Sequence, residues 1–96
     1  MTCAVIATPS FQRVAKKMHA KDKLVLDQAV KEVASNPQIG EEKRGDLLGV
    51  FVYKFKLNSQ ETLLAYALSP DKLMPDTVVL LGVGPHENFY TQLKRQ

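Results

Sequence analysis

The chain has 96 residues, of which 45% are apolar and 24% charged, with a formal net charge of +3. That length fits one domain, and the balance is that of a globular chain rather than a disordered one. One cysteine, Cys3, rules out an intrachain disulfide framework. Two widely spaced histidines with that cysteine make no metal-ligand set, so neither a metal nor a cofactor is expected.

The first residues, 1–6, lack the basic segment of a secretory signal, and no apolar run approaches the ~20 residues that cross a bilayer. The expectation is a cytoplasmic protein with no membrane partner. The basic excess is a mild bias towards polyanions, and it is clustered. Arg13, Lys16, Lys17, Lys21 and Lys23 crowd the first quarter, with Lys43 and Arg44, Lys54 and Lys56, and Lys94 and Arg95 further on.

Residues 3–7 form a short apolar run that predicts a strand. Thr8 and Pro9 then read as a helix start, with threonine as N-cap and proline at the first helical position, where its missing N–H costs nothing. Phe11, Val14, Ala15 and Met18 fall on one helical stripe, opposite Gln12, Arg13, Lys16 and Lys17. A second helix is predicted over about 21–35, with Leu26, Ala29, Val30, Val33 and Ala34 as its apolar face. Asn36 and Pro37 end it, because a residue before proline is pushed out of the helical region.

Residues 50–57 alternate. Phe51, Tyr53, Phe55 and Leu57 take one face, and Val52, Lys54 and Lys56 the other. A polar turn is expected over 58–61, then a strand over 62–68 with Leu64, Tyr66 and Leu68 opposed to Leu63, Ala65 and Ala67. Residues 69–76, with two prolines and two aspartates, read as a loop, and 77–83 as a strand. Gly84 and Pro85 are expected to turn the chain into a short closing helix over 86–94. The whole is a two-layer α+β domain over 1–96: an N-terminal strand and helical hairpin packed on an antiparallel sheet, with a C-terminal helix. Lys54, Lys56, Ala65 and Ala67 would leave the second sheet face basic and small, a floor suited to something polar and negative.

The ordered set of these segments resembles the RelE/ParE superfamily of bacterial toxins. The residues that carry the resemblance are the hairpin with Asn36 and Pro37 at its end, the stretches 43–47 and 52–57, Leu64 to Tyr66, and 83–90. It implies the toxin of a type II toxin–antitoxin system that cleaves mRNA on the ribosome without a metal, neutralised by a cognate antitoxin. The alternative is a ParE-like inhibitor of DNA gyrase without nuclease activity. On the nuclease reading, Lys54 and Lys56 neutralise the phosphate, and His86 and Tyr90 complete the site. One position departs from the RelE pattern: Leu63 stands where those enzymes carry an arginine. His86 followed by Tyr90 fits the histidine-bearing relatives of the YafQ kind.

The chemistry is consistent with those residue types. Cleavage by the ribose 2′-hydroxyl needs a base for that proton, a cation beside the charged phosphorane and an acid for the leaving 5′-oxygen. An unperturbed imidazole has a pKa close to working pH, which makes His86 the proton-transfer candidate. Tyr90 lies one helical turn further on, where it would stack on a base or orient the phosphate. Glu87 is a candidate auxiliary base and Phe89 a core residue. Lys43, Arg44, Lys16 and Lys17 are candidates for contacts to RNA backbone, which give affinity without sequence choice. His19, among lysines in the inter-helix loop, reads as a surface residue.

Overall fold

Thr8 starts the helical layer as its sequence requires. Its hydroxyl accepts from the Phe11 N–H at 3.3 Å and donates to the Leu80 carbonyl at 2.8 Å, so one side chain caps a helix and ties it to the sheet. The computed structural model describes residues 2–85. They form β1 (Ala4–Ala7), α1 (Pro9–Lys16), α2 (Ala20–Ser35), β2 (Glu41–Glu42), a 3-10 turn (Gly45–Leu47), β3 (Phe51–Leu57), β4 (Gln60–Ser69) and β5 (Thr77–Pro85). The predicted C-terminal helix over 86–94 lies outside the described residues.

The five strands make one sheet in the order β1-β5-β4-β3-β2. Successive strands from β2 to β5 pair antiparallel, while β1 joins the edge parallel to β5. The sheet is therefore mixed, a refinement of the purely antiparallel expectation. Both the helical hairpin and the β2–β4 run lie between the two parallel strands in sequence, and this gives the connection room that a tight hairpin lacks.

One sheet face and the helices close the main core. Phe11 of α1 and Leu26, Ala29 and Val33 of α2 pack on Phe51, Leu64, Tyr66, Val78, Leu80 and Val83. These are the predicted helical stripes and strand alternations, and each large apolar side chain fully buried here contributes about 1.5–3 kcal/mol. Asn36 caps α2 as expected, its N–H bonding the Glu32 carbonyl.

Three boundaries differ from the sequence reading. The turn expected over 58–61 shrinks to Asn58 and Ser59, both left-handed at φ 53° and 65°. This is the backbone of a tight hairpin whose twist matches that of the strands, so β4 begins already at Gln60. The 41–42 strand carries no periodic signal, and it pairs with β3 through Glu41–Val52 and Glu42–Phe51. Gly84 and Pro85 do not turn the chain. They continue β5, opposite Leu63 and Thr62. β1 stops at the Ala7–Leu80 pair, so β5 has an open side beyond Leu80, and a proline is tolerated there.

Candidate nucleic-acid interface

The second sheet face begins from the alternation of β3. Lys54 and Lys56 point away from the helices and are exposed, about 7 Å apart along the strand. Lys54 stands opposite Leu63, and Lys56 opposite Glu61. Beside them lies a small apolar floor of Val52, Leu63 and Ala65, with Leu47, Val50 and Leu81 packed against it. Leu81 reaches this floor by the alternation of β5, on the face opposite Leu80, and the bulge there brings Val83 back to the main core. Ala65 pairs with Gly82 and Tyr66 with Leu80, so Leu81 is the extra residue on β5.

The second face, expected as a floor of basic and small residues, is thus in part covered. Its centre is a satellite core, with Leu63 0% exposed, and the β3 lysines stand clear of it. The stretch 43–50 folds back along β2 and β3, through Lys43 N–H to the Val50 carbonyl and Val50 N–H to the Leu47 carbonyl, and this brings Leu47 and Val50 onto the floor. Leu63, which the sequence resemblance set against a RelE-type arginine, is a buried aliphatic side chain.

The face is not purely basic. Glu41 pairs with Val52, so its side chain shares the face of Lys54. Its carboxylate accepts from the Lys43 ammonium at 2.8 Å, with the two side chains 71% and 24% exposed. That hydrogen bond, with the charges of Lys43 and then Lys54, holds the Glu41 carboxyl below the usual carboxylate range. Sequence reasoning missed Glu41, because a two-residue strand shows no period that would set its face. The alternate spacing of Glu41 and Lys43 was the available signal.

The other predicted residues separate. Lys43 comes to the β3 lysines through Glu41. Arg44 is exposed and precedes the 3-10 turn. Lys16 and Lys17 sit on the helical layer, not on the lysine-bearing sheet face. Lys16 lines a groove of about 460 Å³ with Phe11, Gln12, Arg13 and Lys23. Lys17 lines a cleft of about 320 Å³ with His19, Asp22, Gln60, Thr62 and Pro85, at the end of the sheet where β5 finishes. His86, Glu87, Phe89 and Tyr90 lie outside the described residues.

A family model described as the ParE-like toxin of type II bacterial toxin–antitoxin systems matches residues 5–94. The chain belongs to this family. No curated protein sequence matches it. Among solved structures, a mutant of the Escherichia coli toxin RelE in the free state superposes with a TM-score of 0.72 at 20% identity, covering 98% of this chain and 94% of that one. A RelBE toxin–antitoxin complex of Mycobacterium tuberculosis gives 0.72 at 22% identity over 90% of this chain and 100% of that one. The intact E. coli RelBE complex gives 0.66 at 21% identity over 88% and 98%. The ParE-like toxin thus shares the RelE architecture, strand and helical hairpin included. No helix among its described residues is long and apolar enough to cross a membrane.

Proposed function

We propose that this toxin is a metal-independent endoribonuclease that cleaves mRNA on the ribosome. The observation that supports it is the pair Lys54 and Lys56, exposed side by side on one sheet face next to an apolar floor. An inhibitor of a protein target has no need of two free ammonium groups in that position. In the reaction, a base takes the 2′-proton, the 2′-oxygen attacks phosphorus, and the bond to the 5′-oxygen breaks. Lys54 and Lys56 hold the added negative charge, and fixed cations aimed at developing charge are a large part of such catalysis. His86 gives its proton to the leaving 5′-oxygen and Tyr90 orients the phosphate. Arg44, Lys43, Lys16 and Lys17 bind RNA backbone outside the reacting centre.

The partner that restrains it is a cognate antitoxin, as the RelBE complexes are toxin–antitoxin assemblies. The open edge of β1 and the exposed apolar residues Val5, Ile6, Val14 and Leu24 are the surface for a segment that is disordered when free.

A second reading, a gyrase inhibitor without nuclease activity, is favoured by the ParE-like family description and by the buried Leu63, which the sequence resemblance set against a RelE-type arginine. Pulse expression in bacteria separates the two. Rapid loss of mRNA supports cleavage, and accumulating DNA breaks with intact message support gyrase poisoning.

A further inference from the structure

Glu41 is out of place on a face read as a phosphate-binding surface. A carboxylate beside Lys54 repels the RNA backbone, and at 71% side-chain exposure it is not there to fill the core. Its position is nevertheless built. Gly40, the residue before it, is fixed by its N–H donating to the Tyr66 hydroxyl at 2.9 Å. The Glu41–Val52 pairing sets the direction of the side chain, and the 2.8 Å bond from Lys43 holds the carboxylate itself. Glu61, the other carboxylate of this face, has the opposite character: it stands at the hairpin end across from Lys56 and makes no ion pair with a described residue.

We propose that Glu41 is a specificity-determining residue that reads a guanine base of a single-stranded RNA whose backbone lies on Lys54 and Lys56. The proposal rests on the RNA reading above and deepens it. The chemistry that selects guanine is the pattern of its Watson–Crick edge. Its N1–H and N2–H₂ groups are parallel donors that match the two oxygens of a carboxylate. Adenine and cytosine each present one amino donor beside a ring nitrogen whose lone pair repels the carboxylate, and uracil's single N–H lies between two carbonyls. Unstacked bases of single-stranded RNA are read on this edge. The Lys43 bond occupies one lone pair of one Glu41 oxygen and leaves the others for the base. Because Lys43 and Lys54 hold Glu41 ionised, it remains an acceptor throughout the physiological range.

The test uses the full chain and non-cleavable single-stranded 2′-O-methyl uridine oligomers with one central guanosine, inosine, adenosine or cytidine, followed by fluorescence anisotropy. The expected result is that wild type binds the guanosine probe about tenfold tighter than the adenosine or cytidine probe, the lower end of what a bidentate pair discriminates. Inosine, which lacks the N2 amino group, falls between. Glu41→Gln keeps an acceptor for Lys43 yet removes the charge and the matched pair of acceptors. It should bring the probes within about twofold of one another while leaving adenosine binding unchanged or tighter. A merely structural role would weaken all probes alike, and that outcome overturns the proposal. So does a guanosine preference that survives Glu41→Gln, or wild-type binding with no preference or no binding at all. Loss of message during pulse expression is judged separately, so the RNA-cleavage reading can stand while the base-reading proposal fails.

Discussion

The hydroxyl of Tyr66, on the central strand β4, donates to the Pro37 carbonyl at 2.8 Å, just beyond the end of α2. The same oxygen accepts the Gly40 N–H at 2.9 Å, so one buried phenol ties the segment before Glu41 to the core. Tyr66→Phe should cost about 1–3 kcal/mol, the penalty for orphaning buried backbone partners. Gly40→Ala should cost a similar ~1–3 kcal/mol, because a Cβ there would lie 2.6 Å from the Tyr66 oxygen and 3.0 Å from the Val52 carbonyl. Urea unfolding of both variants checks this.

Burial pushes the Tyr66 pKa above its ordinary 10.0, against the smaller opposing effect of the Gly40 bond. A raised folded-state pKa means that the stability linked to the neutral phenol is fully present below pH about 10. It is lost as pH rises through the folded value. Wild type should therefore lose stability in that alkaline range, and Tyr66→Phe should show a flatter alkaline limb in equilibrium unfolding against pH.

Replacing Lys54 and Lys56 together by alanine should abolish toxicity and leave the fold intact, since both side chains are exposed. Growth arrest on induction and a far-ultraviolet spectrum check the two halves. Wild-type arrest by the double variant would mean that the site is misplaced. Lys16→Ala with Lys17→Ala, on the other layer, should weaken RNA or ribosome association and flatten its salt dependence without slowing cleavage once bound.

His86→Gln should lower single-turnover cleavage of ribosome-bound mRNA by ~10²-fold or more at saturating toxin, while antitoxin binding stays as in wild type. An unchanged rate removes the imidazole from the mechanism.

The antitoxin should co-purify with the toxin as a complex of nanomolar affinity or tighter, even though ordering a disordered segment costs ~2–5 kcal/mol. Ile6, on the open edge strand and 56% exposed, is a probe of that surface. Ile6→Asp should weaken the complex, measured by calorimetry, by at least about tenfold while toxicity is retained. Unchanged affinity would move the interface off β1.

Periodicity determined most of the architecture. The stripe of α2 around Leu26, Ala29 and Val33, the cap at Thr8 and the alternation that sends Lys54 and Lys56 away from Phe51 and Tyr53 are all local patterns. Each arises because a helix repeats every 3.6 residues and a strand every two, and water sorts the faces. The family too was legible, since the order of these segments is itself a property of the chain.

What the tertiary structure decided is what depends on neighbours distant in sequence. Glu41 lies on a strand too short to show a period, and it faces Lys54 only because Val52 pairs with it. Leu63 and Ala65 are buried because the chain from Leu47 to Val50 folds back over them, and Val83 joins the main core because the bulge at Leu81 shifts the alternation of β5 by one residue. Pro85 ends a strand instead of making a turn because β1 stops short and leaves β5 an open side. In each case the deciding partner lies across the sheet, and a one-dimensional pattern holds no record of which strand comes to lie beside which.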